Sequence, residues 1–328
     1  MLRTLFSLAS PAGPRARLSI LIFHRVLATP DPLFPDEACA ERFDAVCQWL
    51  ARWFQVLPLD EALQRLDRGH LPARAAAITF DDGYADNHDV AAPILKSHGL
   101  TATFFIATGF LDGGRMWNDT VIEAIRGTTG KELAISHLLP DDADATVQHR
   151  PVDVGTSAQK RALIDDLLPR IKYLPASQRE QVVAGIAVEA AAAMPSNLMM
   201  TSAQVKALRS MGMGIGVHTV THPILARVTA DVARQEIADS RDTLAALLGE
   251  RITFFAYPNG KPNQDYSRAN VDTVRALGFD AAVSTAWGAA GAGADRFQLP
   301  RFTPWDRAPL PFALRMARNL RAPVSVVT

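Results

Sequence analysis

The chain has 328 residues, 48% hydrophobic and 21% charged, and its Lys+Arg and Asp+Glu counts are equal at 34, so it carries no net charge. That balance is that of a soluble globular protein. It argues against a nucleic-acid binder, which would carry a basic excess, and the length admits one large barrel domain or two ordinary ones.

At the N-terminus, Met1 to Pro11 holds one Arg and a short apolar patch. Arg15 and Arg17 interrupt before a hydrophobic core of signal length, so no secretory signal is expected. No run approaches the ~18 apolar residues of a membrane span. The expected location is the cytoplasm, with attachment to the inner face of a membrane, through a partner or a lipid-linked substrate, left open.

Short apolar runs then alternate with helical patterns. The predicted strands are Ser19–Phe23, Ala76–Phe80, Thr103–Ala107, Ile215–Val217, Phe254–Tyr257, Ala281–Ser284 and Phe297–Leu299. Between them the pattern predicts helices over Glu41–Trp53, Leu59–Arg68, His88–His98, Ser202–Met211, Asp231–Leu248 and Asn270–Leu277. Several close on a glycine suited to a left-handed cap, as at Gly69, Gly99, Gly212, Gly249 and Gly278. The alternation indicates βα units around a parallel sheet. Seven strands suit an α/β fold of the distorted (β/α)7-barrel type. Cys39 and Cys47 lie eight apart in one predicted helix, roughly 12 Å at about 1.5 Å per residue. A disulfide needs Cα atoms about 4.4–6.8 Å apart, so two free thiols are expected, in keeping with a reducing compartment.

Residues 113–198 break the rhythm. They hold Trp117-Asn118-Asp119, a polar loop near Pro140–Thr156, and helical stretches near Gln159–Lys172 and Ser177–Ala193, with no strand between the helices. The expectation is one domain over 1–328 with a helical insertion over 113–198. That insertion is either a lid packed for stability or a cap that helps to bind an extended substrate.

The chemistry concentrates in two places. Ile78-Thr79-Phe80-Asp81-Asp82-Gly83-Tyr84 sets two adjacent carboxylates at the end of an apolar run, and His218-Thr219-Val220-Thr221-His222 supplies two imidazoles four residues apart. A carboxylate with two imidazoles is an open divalent-metal set, and a second carboxylate beside it is placed to act as a base on water. Adjacent residues at a strand end diverge, so one Asp can face an ion and the other the reacting water. His24, Asp81, Asp82, His218, His222 and Asn259 all fall just past strand C-termini, the edge that carries the active site in parallel βα barrels. His88 and His98 read as surface or helix-end residues. His70, His137 and His149 fall in predicted loops or in the insertion.

Thr-Phe-Asp-Asp-Gly followed by His-Thr-x-x-His resembles the polysaccharide deacetylase family, the carbohydrate esterases with a NodB-like domain, over about Leu18 to Pro304. The resemblance implies that Asp81 is the catalytic base and that Asp82, His218 and His222 hold the metal. Zinc is the first candidate, and cobalt or nickel also suit this ligand set. Two departures stand out. The family's Arg-x-Pro-Tyr becomes Ala256-Tyr257-Pro258-Asn259, so the Arg that orients the base is missing, while the Asn259 backbone N–H can still serve as an oxyanion donor. No His follows His222, where many members keep their general acid. His24, after the first strand, is the substitute, as in the permuted-motif branch that resembles poly-N-acetylglucosamine deacetylases. Arg301 follows the last strand and could replace the missing Arg, but it is left outside the core site.

The implied activity is metal-dependent removal of acetyl groups, N-acetyl foremost, from a polysaccharide or a glycolipid-linked sugar. Within hydrolases the rival is a deformylase or amidase acting on a lipid-linked sugar. Outside them it is an inactive glycan-binding assembly protein, towards which only the missing Arg leans. The expected partner is an acetylated glycan or lipid-linked saccharide, with no nucleic acid. Trp117, Trp287 and Trp305 either stack on sugar faces or pack in the protein.

Overall fold

The computed structural model describes residues 2–139 and 151–328. His149 and most of the polar loop near Pro140–Thr156 therefore lie outside the described residues. The chain divides into two compact units, one of Met1–Thr29, Ala38–Gly113 and Met199–Thr328, the other of Pro30–Glu37 and Gly114–Leu198.

In chain order the strands are β1 (Ser19–Phe23), β2 (Gln55–Val56), β3 (Ala75–Phe80), β4 (Thr103–Ile106), β5 (Glu132–Leu133), β6 (Val152–Asp153), β7 (Gly214–Val217), β8 (Phe254–Ala256) and β9 (Ala281–Val283). The helices are α1 (Leu2–Ala9), α2 (Ala40–Trp53), α3 (Leu59–Asp67), α4 (Ala92–Ser97), α5 (Trp117–Gly127), α6 (Ser157–Lys172), α7 (Ala176–Ala190), α8 (Ser202–Ser210), α9 (Ala230–Leu248), α10 (Arg268–Ala276) and α11 (Pro309–Asn319).

In the first unit the strands form one parallel sheet in the order β1-β3-β4-β7-β8-β9, with the short β2 also paired to β3. β3 is the hub. β1 pairs with it from Ser19↔Ala76 to Phe23↔Phe80, β2 takes its beginning, and β4 its end. The expected last strand, Phe297–Leu299, is not a regular strand. An extended segment instead bridges the two sheet edges through single residues. Leu299 exchanges hydrogen bonds with Ala282 and Ser284 beside β9, and Phe302 with Ile20 and Ile22 of β1. This closes a distorted (β/α) barrel.

Alternation along the strands sorts side chains into two faces. Ile20, Ala75, Ala77, Phe105, Ala256, Ala281, Val283 and Leu299 form one buried cluster, which lines the barrel. The residues between them, Leu21, Phe23, Ile78, Phe80, Phe104 and Phe255 among others, pack outward with helix residues such as Phe43, Leu50, Ile237 and Val271. The inward line is built largely of small residues. A Cβ at Gly216 would lie 2.4 Å from the Phe105 ring, so glycine there makes room for that ring.

The helix expected over His88–His98 opens as a π-helical turn, Asn87–Ala91, before α4. In the first unit two helices escaped the periodicity reading, α1 and α11. Cys39 precedes α2 as its N-cap and Cys47 is buried within it, both as free thiols.

The second unit has its own core, with Val121, Ile125, Ile164, Leu167, Ile171 and Ile186 fully buried. It carries three helices, α5, α6 and α7, where two were expected, and the antiparallel pair β5–β6. Helix α7 stops at Ala190 because Ala191 turns left-handed (φ 47°), so the Ala-rich run is only partly helical. Arg126 clamps Asp31 bidentately, at 3.0 and 2.7 Å. Among the described residues no helix of the protein is long and apolar enough to cross a membrane.

Candidate active site

The inward line of β3 runs Ala75, Ala77, Thr79 and then Asp81, just past the strand end. Asp81 is 2% exposed. The closing segment supplies the side chain that meets it. Arg301, wholly buried, donates from Nη1 to Asp81 Oδ1 and from Nη2 to Oδ2, each at 2.7 Å. Its Nε donates to the Ser284 carbonyl (2.8 Å), and Nη1 also reaches Thr79 Oγ1 (3.2 Å). Arg301, expected outside the core site, is thus in direct contact with Asp81. Its guanidinium makes the fork-to-fork contact on Asp81 that the missing Arg was expected to make. Burial alone would raise the Asp81 carboxyl. The Arg301 charge, with help from His218, outweighs this and holds it below the usual carboxylate range.

Asp82 turns away from Asp81 through a left-handed backbone, φ 75°. That conformation brings its carboxylate to the two imidazoles. Asp82 Oδ1 lies 3.4 Å from His218 Nε2 and 3.5 Å from His222 Nε2. His218 Nδ1 bonds the Ala256 carbonyl at 2.8 Å. A carbonyl only accepts, so Nδ1 carries a proton and Nε2 is the atom turned to Asp82. Burial disfavours charge on this imidazole, but Asp81 and Asp82 outweigh it and raise His218 above its ordinary value. Burial pushes His222 down to about 4, which keeps it neutral. Burial works against the Asp82 carboxylate, yet the imidazoles of His218 and His222 hold it well below the usual range.

The three ligand atoms suit a divalent ion on two counts. They lie within 4.8 Å of one another, and two ligands each about 2.0–2.1 Å from a tetrahedral ion stand about 3.3–3.4 Å apart, close to the two separations from Asp82 to the histidines. Asp82 Oδ1 is also buried without a hydrogen-bond donor, because the His218 approach misses hydrogen-bond alignment. A buried carboxylate oxygen without a hydrogen-bond donor is costly unless a cation joins it.

The loop that carries the imidazoles is itself held. Thr219 (φ 66°) and His222 (φ 54°) are both left-handed. The Thr219 hydroxyl accepts from the His222 N–H (3.1 Å) and donates to the His218 carbonyl. From α9, Glu236 accepts from the Val220 and Thr221 N–H groups, each at 2.8 Å, and from the Thr221 hydroxyl at 2.6 Å. Sequence reasoning gave Glu236 no role. It sits on a different element from the loop, and no local spacing links it to the histidines.

His24 is exposed at the C-terminal end of β1, within electrostatic reach of Asp81, Asp82 and His222. Its loop is tied to the segment after the Asp pair. Asn87 Nδ2 donates to the His24 carbonyl (2.8 Å), while Asp86 accepts from Arg25 Nε (2.8 Å) and the Val26 N–H (3.1 Å). Asn259 is left-handed (φ 60°), its carbonyl accepts from the Thr285 hydroxyl (2.8 Å), and its own N–H donates to no described residue. His88 and His98 pair with Asp89 and Asp44 away from this cluster. Trp287 and Trp305 flank Arg315, and Trp117 belongs to the second unit.

Two carboxylates and two imidazoles gathered at the C-terminal mouth of a parallel βα barrel define an enzyme-type site. The family model described as polysaccharide deacetylase matches residues 68–150 and 173–282. That is more than half of the chain, and the chain belongs to the polysaccharide deacetylase family, whose enzymes hydrolyse acetyl groups. The match spans Asp81, Asp82, His218, His222 and Asn259 but neither His24 nor Arg301. YxkH of Bacillus subtilis (strain 168), whose name assigns it provisionally to polysaccharide deacetylases, is 23% identical over 288 residues, 87% of this chain and 71% of that protein. The Streptococcus pyogenes deacetylase PplD, solved with acetate, shares the fold at a TM-score of 0.59 and 21% identity, over 92% of this chain and 98% of that one. IcaB from Ammonifex degensii does so at 0.58 and 18%, over 95% and 99%.

Glu236→Ala removes all three bonds and leaves the Val220 and Thr221 N–H groups without this acceptor. The expected outcome is zinc affinity weaker by about 10–100-fold in competition with a chelating dye, with circular dichroism unchanged. Unaltered affinity would mean that the loop holds its ligands without Glu236.

Proposed function

We propose that the protein is a divalent-metal-dependent hydrolase that removes acetyl groups, N-acetyl foremost, from a polysaccharide or a glycolipid-linked sugar. The observation that carries this reading is the donorless Asp82 Oδ1 facing His218 and His222, beside an Asp81 gripped by Arg301. Asp82, His218 and His222 are the ligands, for zinc first and for cobalt or nickel as alternatives. When bound, the ion polarises the acyl carbonyl and acidifies water by its positive charge.

The chain's own residues do the rest. Asp81, ionised and fixed in direction by Arg301, takes the proton of the attacking water. The Asn259 N–H, left without a described partner, receives the oxyanion that develops on the acyl oxygen. His24 donates a proton to the departing amine as the carbon–nitrogen bond breaks, which an amide requires because an amine anion is too basic to leave. Acetate and the free amine result.

The direct test is acetate or formate release from a panel of acylated glycans and lipid-linked sugars, with metal-stripped protein as control. Formate without acetate would shift the reading to a deformylase, and neither product to an inactive binder. In Asp81→Asn, metal content should stay near wild type while turnover falls by about 10²–10⁴; joint loss of metal and activity would make Asp81 a ligand.

Arg301→Met removes the charge that lowers the Asp81 carboxyl. Asp81 then protonates at a higher pH, so the acid limb of kcat/KM should move upward. An unmoved limb would show that this limb reports another group.

His24→Ala should severely slow amide hydrolysis and largely spare 4-nitrophenyl acetate, whose leaving group departs without a proton. Equal losses on both substrates would remove His24 from the acid role.

A further inference from the structure

Away from the barrel mouth, the exposed apolar side chains are not scattered. Among the described residues, Leu5, Leu8, Trp305, Leu310 and Leu314 make up five of the eight large hydrophobics that stand exposed. All five lie on α1, on α11 or on the few residues leading into α11, and these two helices touch each other. Between them runs an open apolar groove of about 810 Å³ whose walls include Leu5, Phe6, Trp287 and Leu314. Isolated exposed leucines are ordinary, but a contiguous apolar patch is a docking signal.

The charge around the patch says what would dock. Arg318 and Arg321 line the groove and Arg3 stands exposed on α1; none of the three has an ion pair with a described residue. In 2–30 and 302–328 the only side-chain carboxylate is Asp306, and Arg315 takes it at 2.7 Å. A chain with no net charge thus leaves uncompensated guanidinium groups where it also exposes its leucines. We propose that the α1–α11 face is a membrane-docking surface for an anionic phospholipid bilayer, with Leu5, Leu8, Leu310 and Leu314 entering the headgroup–acyl boundary and Arg3, Arg318 and Arg321 meeting the phosphates. Leucines standing out from helix surfaces, beside arginines that no described carboxylate pairs, match a sheet of phosphates over hydrocarbon. The long Arg stems can lie along the apolar surface while their heads stay at phosphate level. Trp305, with the Arg315 guanidinium 4.2 Å over its ring, has the amphipathic character favoured at that depth.

The test is flotation of the full chain with vesicles of phosphatidylcholine alone, or of phosphatidylcholine with about a third phosphatidylglycerol. The expected result is enrichment on the anionic vesicles that weakens in high salt. Leu8→Gln with Leu314→Gln changes side chains of residues 76% and 63% exposed, so the fold should survive, as circular dichroism would check. That double variant, and separately Arg318→Glu with Arg321→Glu, should each weaken binding by at least about tenfold. Three outcomes overturn the proposal: no preference for the anionic vesicles, binding that neither variant weakens, or a protein dimer that the leucine variant dissociates while vesicle binding persists, which would make the face a contact between two copies of this chain.

Discussion

The buried bidentate contact between Arg301 and Asp81 is the constraint on which the barrel mouth depends. It joins the closing segment to the end of β3, the strand with which β1, β2 and β4 all pair. Desolvating a guanidinium and a carboxylate is expensive, and such a pair is weak evidence for stability in itself. It is tolerable here because the Arg301 donors are used by Ser284, Thr79 and both Asp81 oxygens. The Phe105 ring also packs beside the guanidinium, 5.9 Å from its centre. What the pair secures is direction: two parallel bonds fix the plane of one carboxylate at the strand end.

A second constraint lies in the backbone. Asp82, Thr219, His222 and Asn259 are all left-handed without being glycine, at a cost on the order of 1–3 kcal/mol each. Strain of this kind persists only where neighbours over-determine it. Ala107 N–H bonds the Asp82 carbonyl, Met200 N–H bonds that of Gly83, Glu236 takes two loop amides, and the Thr285 hydroxyl holds the Asn259 carbonyl. These supports come from the end of β4, the residues before α8, α9 and the residues after β9. The site is therefore a property of the closed barrel and not of its motifs.

This explains how far the sequence could be read. The strands announced themselves because both faces of a parallel sheet are covered and the runs are apolar throughout. Asp82, His218 and His222 were legible because each follows such a run, and strand ends converge at one mouth. Arg301 was visible as a residue after the last apolar run, yet nothing local says that it reaches a carboxylate 220 positions earlier. Glu236 is hidden for the same reason. The closing segment makes one isolated bridge to each sheet edge, at Leu299 and at Phe302, which leaves too little regular pairing for a strand. α1 and α11 were missed because each leaves leucines in the open, blurring the contrast between core face and solvent face that marks a surface helix.

Both departures from the family pattern meet at one seam. β1 carries His24 at its end, the closing segment carries Arg301, and the two are bonded through Ile22 and Phe302. A barrel has no first or last strand in space, so groups from the two ends of the chain can stand side by side. Asn87 and Asp86 then fasten the β1 loop to the segment that follows the Asp pair. On the proposed reading, the acid, the base and the group that aims the base are coupled through one stretch of backbone pairing. The family model matches neither of the two displaced residues. A linear motif registers the loss of an Arg and a His; on the proposed reading, the closed sheet returns both groups to the same mouth by another route.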